Sequence, residues 1–378
     1  MSAELWFCAC LAVVAYTFAG YPLLAIALAS RRGSTPLTGS DQPPITIVIA
    51  ARDEAERIVA RLRNAFDSDY PAAQLRVLLI DDGSHDDTAR LAESLADPRI
   101  CVLRQTPSQG KAAALNRAMQ HVRTELTVYA DARQSFERGT LAALVAPFAD
   151  AEVAVVSGEL HMRANSRGGH AVAADGSYLR IERALRRAES RLRWAHAACG
   201  AVYAIRTATF RPLPAELILD DVYTPLQALQ RGKRIWLARG ARAFDVPGSA
   251  IGQEFQRKLR TLAGNWQLLR LQPWLLNPRR NPAWFAFVSH KLARLIAPWA
   301  LLGALLAAAL AQQPWIHAAF WVQVASYIVA LIALGAPGWV RHLPLCTAAG
   351  SFVVLNGAAL LSLPIFLTTR SLRQLWRT

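Results

Sequence analysis

Cysteine is scarce in this chain. Its five copies, Cys8, Cys10, Cys101, Cys199 and Cys346, are odd in number, scattered, and partly inside apolar runs. That excludes a disulfide framework and a cysteine-built metal centre. No zinc-finger spacing occurs, so the formal charge of +15 has no motif to direct it toward nucleic acid. The Gly-x-x-x-x-Gly-Lys-Ser/Thr spacing of a P-loop is missing, which leaves an ATPase unsupported. Internal repeats and low-complexity tracts are missing too. No Lys or Arg precedes the first apolar run, so that run lacks the positive start of a secretory signal.

What is abundant is apolar surface. Of 378 residues, 53% are hydrophobic, enough for one domain of about two hundred residues plus membrane segments. Residues 5–29 are uncharged and bounded by Glu4 and by Arg31-Arg32, long enough to cross a hydrocarbon core as a retained anchor. The positive-inside rule then puts the N-terminus outside and the central region in the cytosol, at an inner membrane. Three further spans are expected at 295–311, 315–334 and 345–367. The Gln312-Gln313-Pro314 link suits an outer turn, and Arg341-His342 an inner one. Four such spans leave Arg370, Arg373 and Arg377 outside, against the same rule, so either the last span is re-entrant or the rule fails there. Much of the positive charge flanks these spans or lies in the helix-like stretch 180–193, which points to an anionic membrane surface.

The central region alternates short apolar runs with helical patterns. Runs at 45–50, 75–80, 100–103, 126–129 and 153–156 imply a mostly parallel sheet with helices on both faces. The stretch LRVLLIDDGSHDDT, 75–88, reads as a buried strand closed by a turn and a helix start. Ser84 and Asp87 suit a capped helix start. Asp81 and Asp82 therefore stand at a strand's carboxyl end, where open α/β sheets bind ligands, although solvated acids in an ordinary turn are the alternative.

Other motifs follow in order. Gly110-Lys111 opens a helix in SQGKAAALN, where a glycine admits a ligand and the lysine offers a point charge to phosphate. Tyr129-Ala130-Asp131-Ala132-Arg133 ends the fourth strand, and Asp131 is suited to Mg2+ or Mn2+ shared with substrate phosphates, or to capping a helix. Gly200 in WAHAACGAVYAIR suggests a close approach, while His196 beside it is more in keeping with a structural role. Asp220-Asp221 stand at another helix start, as a general base and its neighbour or as dipole compensation. In 248–276, Arg257, Lys258, Arg260 and Arg270 mix with tryptophan and leucine, as in an interfacial helix or one whose arginines turn onto a diphosphate.

Taken together, TIVIAARDEAERI, IDDGSHDDT, QGKAAALN, ADARQ, ACGAVYAIR and LDDVYTPLQALQRGKRI resemble, in that order, the motifs of the membrane-anchored family 2 glycosyltransferases. The resemblance is to the branch with the poly-N-acetylglucosamine, hyaluronan and cellulose synthases. It implies a GT-A fold, α/β and Rossmann-like, over 45–248. An anchor (1–31) and linker (32–44) precede it; interfacial helices (249–290) and a membrane region (291–378) follow. It implies donor contacts from Glu54, Asp81, Asp82, Lys111, Arg257 and Arg260, a Mg2+ or Mn2+ ion on Asp131, and Asp221 as base with Asp220 beside it. The implied partners are a nucleotide-sugar, a glycan or lipid acceptor, membrane lipids and an export partner, with no nucleic acid. Two departures bear on the reaction. Tyr129 replaces the first acid of the metal motif, and the Gln-x-x-Arg-Trp of processive synthases is reduced to Arg257-Lys258-Leu259-Arg260-Thr261.

Overall fold

The computed structural model describes residues 2–163, 178–245, 251–335 and 344–369. Helix α1 (Ala3–Arg32) leads, by way of an extended linker, into an eight-stranded sheet of order β3-β2-β1-β4-β7-β6-β8-β5. The first half of the sheet comprises β1 (Ile45–Ala51), β2 (Leu75–Asp81), β3 (Ile100–Arg104) and β4 (Leu126–Ala130). These pair in parallel, with α2 (Ala55–Phe66), α3 (Thr88–Glu93) and α4 (Lys111–Met119) as crossovers. The β-branched run of β1 is buried on both faces, as a central parallel strand requires. On α2, Ile58, Leu62 and Ala65 fall on one helical face and pack onto the sheet.

The second half is not mostly parallel. After β5 (Ser135–Phe136) and α5 (Thr140–Val145) come β6 (Val153–Met162), α6 (Tyr178–Arg191) and β7 (Val202–Arg206). Helix α7 (Asp220–Leu229) and β8 (Arg234–Asp245) complete the domain. Strand β7 is antiparallel to both β4 and β6, and β5 is antiparallel to β8, so the sheet is mixed. Strand β7 enters at the ligand edge and runs back from it. Its register, Val202 against Ala130, sets Gly200 beside Asp131.

The helix start expected from Ser84 and Asp87 differs as well. Helix α3 begins at Thr88, and Asp87 makes no side-chain capping bond. Asp86 instead accepts from the Thr88 amide at 3.0 Å. Ser84 is taken up elsewhere, donating to Asp81 and accepting from the Asp53 amide at 2.9 Å.

Among the described residues, four helices are long and apolar enough to cross a membrane: α1, α9 (Trp284–Leu310), α10 (Pro314–Gly335) and α11 (Pro344–Thr368). Between the domain and α9 lies α8 (Ile251–Leu271). It is tied both to the domain and to α11. Gln267 accepts from the Ile218 amide at 3.0 Å and donates to the Glu216 carbonyl at 2.9 Å, while Trp266 donates to Ser362 of α11 at 3.0 Å. Helix α9 starts well ahead of residue 295, because His290, Lys291 and Arg294 stay helical among the acids of α6. Arg341, His342, Arg370, Arg373 and Arg377 lie outside the described residues.

Candidate active site

The motifs of the parallel half converge through their loops. Asp82 is buried, and its two carboxylate oxygens accept from Gln105 Nε2 at 2.7 Å, Ser108 Oγ at 2.9 Å and the amides of Gln109 and Gly110, both at 2.8 Å. The carboxylate that was expected to meet a ligand is therefore spent on fixing the loop ahead of α4. That loop ends at Gly110, whose φ of 93° lies in the region open to glycine, and delivers Lys111 as the first residue of α4. Asp81 is also buried and takes the Ser84 hydroxyl. Glu54 pairs with Arg57 at 3.0 Å.

Lys111 is the hub. Its ammonium lies 3.2 Å from Asp131 and 3.3 Å from Asp220, so three motifs far apart in sequence meet at one charge. Burial weakens the ammonium, but Asp131, Asp220 and Asp221 outweigh that and hold its pKa well above the usual lysine range. Tyr129 lies on the same face of β4 as Asp131, two residues away. It is buried and stacks on its cross-strand partner Tyr203, ring centroids 4.7 Å apart, so it fills core where an acid would have faced the ligand edge.

The two adjacent acids of α7 face different spaces. Asp220 turns to Lys111, in a crevice of about 10 Å³ shared with Tyr129, Asp131 and Gly200. Asp221 turns into a cavity of about 230 Å³. Gly200 lies between them, and a Cβ there would come 2.9 Å from Asp221 Oδ2, so only glycine leaves the carboxylate its place. Pro225 adds to this arrangement. Lacking an amide hydrogen, it cannot bond the Asp221 carbonyl one turn back, and that carbonyl accepts instead from Ala198 at 2.9 Å. The 195–200 segment is thereby tied to the acid. Burial, and then the neighbouring Asp220, push the Asp221 carboxyl up to about 6.

Arg260 of α8 is half-buried near the same acids. Burial, then Arg133 and Arg257, lower its pKa, and Asp131 and Asp220 act against that. The inward alternative for this helix thus describes Arg260 better than the lipid-facing one.

Residues 46–226 match the family described as Glycosyl transferase family 2. The chain carries a family 2 glycosyltransferase domain. Over 97% of its length it superposes on the whole chain of the mannosyltransferase PcManGT from Pyrobaculum calidifontis, solved in complex with GDP-Man and Mn2+. The TM-score is 0.72 at 23% identity, a likeness of fold. It is also 31% identical over 121 residues to the beta-monoglucosyldiacylglycerol synthase of Trichormus variabilis. That match takes in 31% of this chain and 26% of the relative, about a quarter of the latter's length.

The far wall of the cavity beside Asp221 is one that sequence reasoning missed. It is lined by Glu182, Arg186 and Glu189 of α6, by His196, and by His290 and Lys291 of α9. Glu189 accepts from Tyr21 of α1 at 2.7 Å and lies 2.8 Å from His290 Nδ1. Glu182 meets His290 Nε2 at 3.2 Å and Arg294 at 2.8 Å. Burial pushes His196 down to about 4, which leaves its ring neutral at physiological pH. Two arginines of α6 are turned to the protein's own acids and cavity. Arg187 forks onto Glu159 with two bonds of 2.6 Å, and Arg186 lines the cavity. Alternation of glutamate with arginine along 180–193 was the available signal.

Proposed function

We propose that this glycosyltransferase moves a sugar from a nucleotide-sugar to the hydroxyl of a membrane lipid, with inversion. The observation that carries this reading is the place of Asp221, in one cavity with His290 and Lys291 of a membrane-competent helix and across Gly200 from Lys111 and Asp131. Donor charge and acceptor base then occupy opposite sides of one glycine. The relative that acts, by its name, on a diacylglycerol lipid supports a lipid acceptor, and the absent Gln-x-x-Arg-Trp weighs against a long polymer.

On the donor side, Lys111 and Arg260 stand where a diphosphate leaving group gathers negative charge. Asp131 offers a partly exposed carboxylate oxygen, a donor that suits Mg2+ or Mn2+, and no group of three metal-ligating acids, histidines or cysteines occurs among the described residues. One carboxylate fits, because such ions complete their shell with substrate phosphates and water. When bound, the ion supplies further positive charge to the leaving diphosphate. On the acceptor side, Asp221 takes the hydroxyl proton as the oxygen attacks the anomeric carbon. The bond from that carbon to the diphosphate oxygen breaks, and its electron pair leaves with the diphosphate. A carboxyl held near 6 is charged at neutral pH yet basic enough to accept that proton. The domain would face the cytosol of an inner membrane, on the side of Arg31-Arg32.

The test is to supply the purified protein with labelled UDP- and GDP-sugars, Mn2+ and membrane lipid, and to partition the product between water and butanol. Metal-dependent label in butanol is expected. Label confined to water would favour the glycan acceptor of the synthases, and no turnover with any donor would contradict the activity.

A further inference from the structure

The cavity beside Asp221 holds two cations that the proposed transfer leaves without work. Arg186 comes from α6 and Lys291 from α9, and both line the cavity. Neither makes a hydrogen bond or an ion pair within 4 Å to any described residue, although Glu182 and Glu189 line the same space. Those glutamates are already engaged, Glu182 by His290 and Arg294, Glu189 by Tyr21 and His290. The cations therefore sit near those acids without pairing directly with any of them. A lysine kept inward on a membrane-competent helix is costly unless something anionic reaches it.

We propose that Arg186 and Lys291 form an anion subsite for the phosphate of a phosphodiester lipid whose headgroup hydroxyl is the acceptor. This rests on the lipid-acceptor reading above and names the class of lipid. A guanidinium fork with a point-charge ammonium suits the several oxygens of a phosphate. The donor's own diphosphate already has Lys111 and Asp131, which line a different space from this pair. At about 230 Å³ the cavity is smaller than the roughly 300–1,000 Å³ of usual ligand pockets, so it takes a headgroup and leaves the acyl chains outside. One headgroup is enough to reach from the cations to the Asp221 carboxylate, since all three side chains line one space.

The experiment measures lipid retention by the full chain in detergent, by native mass spectrometry. Phosphatidylglycerol has the phosphate and the hydroxyl, diacylglycerol only the hydroxyl, and millimolar inorganic phosphate is the competitor. Phosphatidylglycerol should be held about tenfold or more tightly than diacylglycerol, the size of one or two hydrogen bonds to charged groups. Arg186→Gln and Lys291→Met should each erase that preference, and Lys291→Arg should keep it. Nucleotide affinity on the same samples reports folding; if Lys291→Met unfolds, the wild-type preference and Arg186→Gln decide. Equal retention of the two lipids, an undiminished preference in Arg186→Gln, or full displacement by inorganic phosphate would overturn the subsite. Transfer is read separately. Sugar passed equally to both lipids contradicts only the subsite, whereas phosphate-dependent lipid binding without any sugar transfer contradicts only the proposed activity.

Discussion

The two sides of Gly200 are built on different plans. On the donor side, short loops at the ends of parallel strands tie one another down: Asp82 holds 105–110, and Lys111 bridges Asp131 and Asp220. On the acceptor side, the wall is assembled from α6, the 195–200 segment, α7 and α9, with Tyr21 of α1 holding Glu189 from behind, 168 residues away in sequence. The first plan positions charge by local turns, and the second does so by docking a helix long and apolar enough to span a membrane onto the sheet domain. The difference teaches where each side should be fragile. Donor chemistry should respond to single side chains, whereas acceptor chemistry should respond to whatever moves the 195–200 segment or α9.

Four substitutions or conditions test that contrast, in descending order of expected effect. Asp131→Ala should cut transfer by about 10²–10³-fold, the usual cost of losing one electrostatic stabiliser of leaving-group charge. It should also remove the metal response of nucleotide binding; calorimetry with and without Mn2+ measures the second part, and an unchanged response would detach the metal from Asp131. Gly200→Ala should cost about a hundredfold in transfer at nearly constant donor affinity, because its methyl displaces the Asp221 carboxylate. Should donor affinity fall instead, Gly200 belongs to the donor side and the division fails.

The third concerns pH. A base must be deprotonated to work, and Asp221 is held near 6, so transfer should be constant around neutrality and fall about tenfold per unit as pH drops through and below 6. The acid limb should be absent from Asp221→Asn; its persistence there would assign the titration to another group. The smallest effect is on stability. Asp82→Asn keeps one acceptor oxygen but sets an amide against the Gln105, Ser108, Gln109 and Gly110 donors, which should cost about 1–3 kcal/mol, read as a lower denaturation midpoint. Nucleotide affinity lost without any stability change would return Asp82 to direct ligand contact.

The same division explains what could be read from the chain. The elements of the proposed donor side were legible because each is a contiguous motif at a strand end or helix start: Asp82 after β2, Lys111 after Gly110, Asp131 after β4. Even there, sequence could not tell that Asp82 is consumed by its own loop, since its donors lie more than twenty residues on. Antiparallel β7 was invisible for a related reason. Nothing in VYAIR reveals strand direction, which is fixed by pairing with β4 and β6. The acceptor wall was hidden twice over: its arginines suited an anionic membrane surface, and the charges at His290, Lys291 and Arg294 made the start of α9 look like the end of an interfacial segment. Only the pairing of His290 and Arg294 with Glu182 and Glu189 shows that this stretch points inward.

The central claim is that Asp221 belongs to the acceptor side and acts only when the hydroxyl loses its proton. Transfer rate and donor dissociation constant measured on the same purified Asp221→Asn test it most directly. A positioned base contributes about 10²–10⁴-fold, and a group acting only in the transition state leaves ground-state binding alone. The account therefore predicts transfer reduced by that factor with donor affinity unchanged, and near wild-type transfer by Asp221→Asn would contradict it.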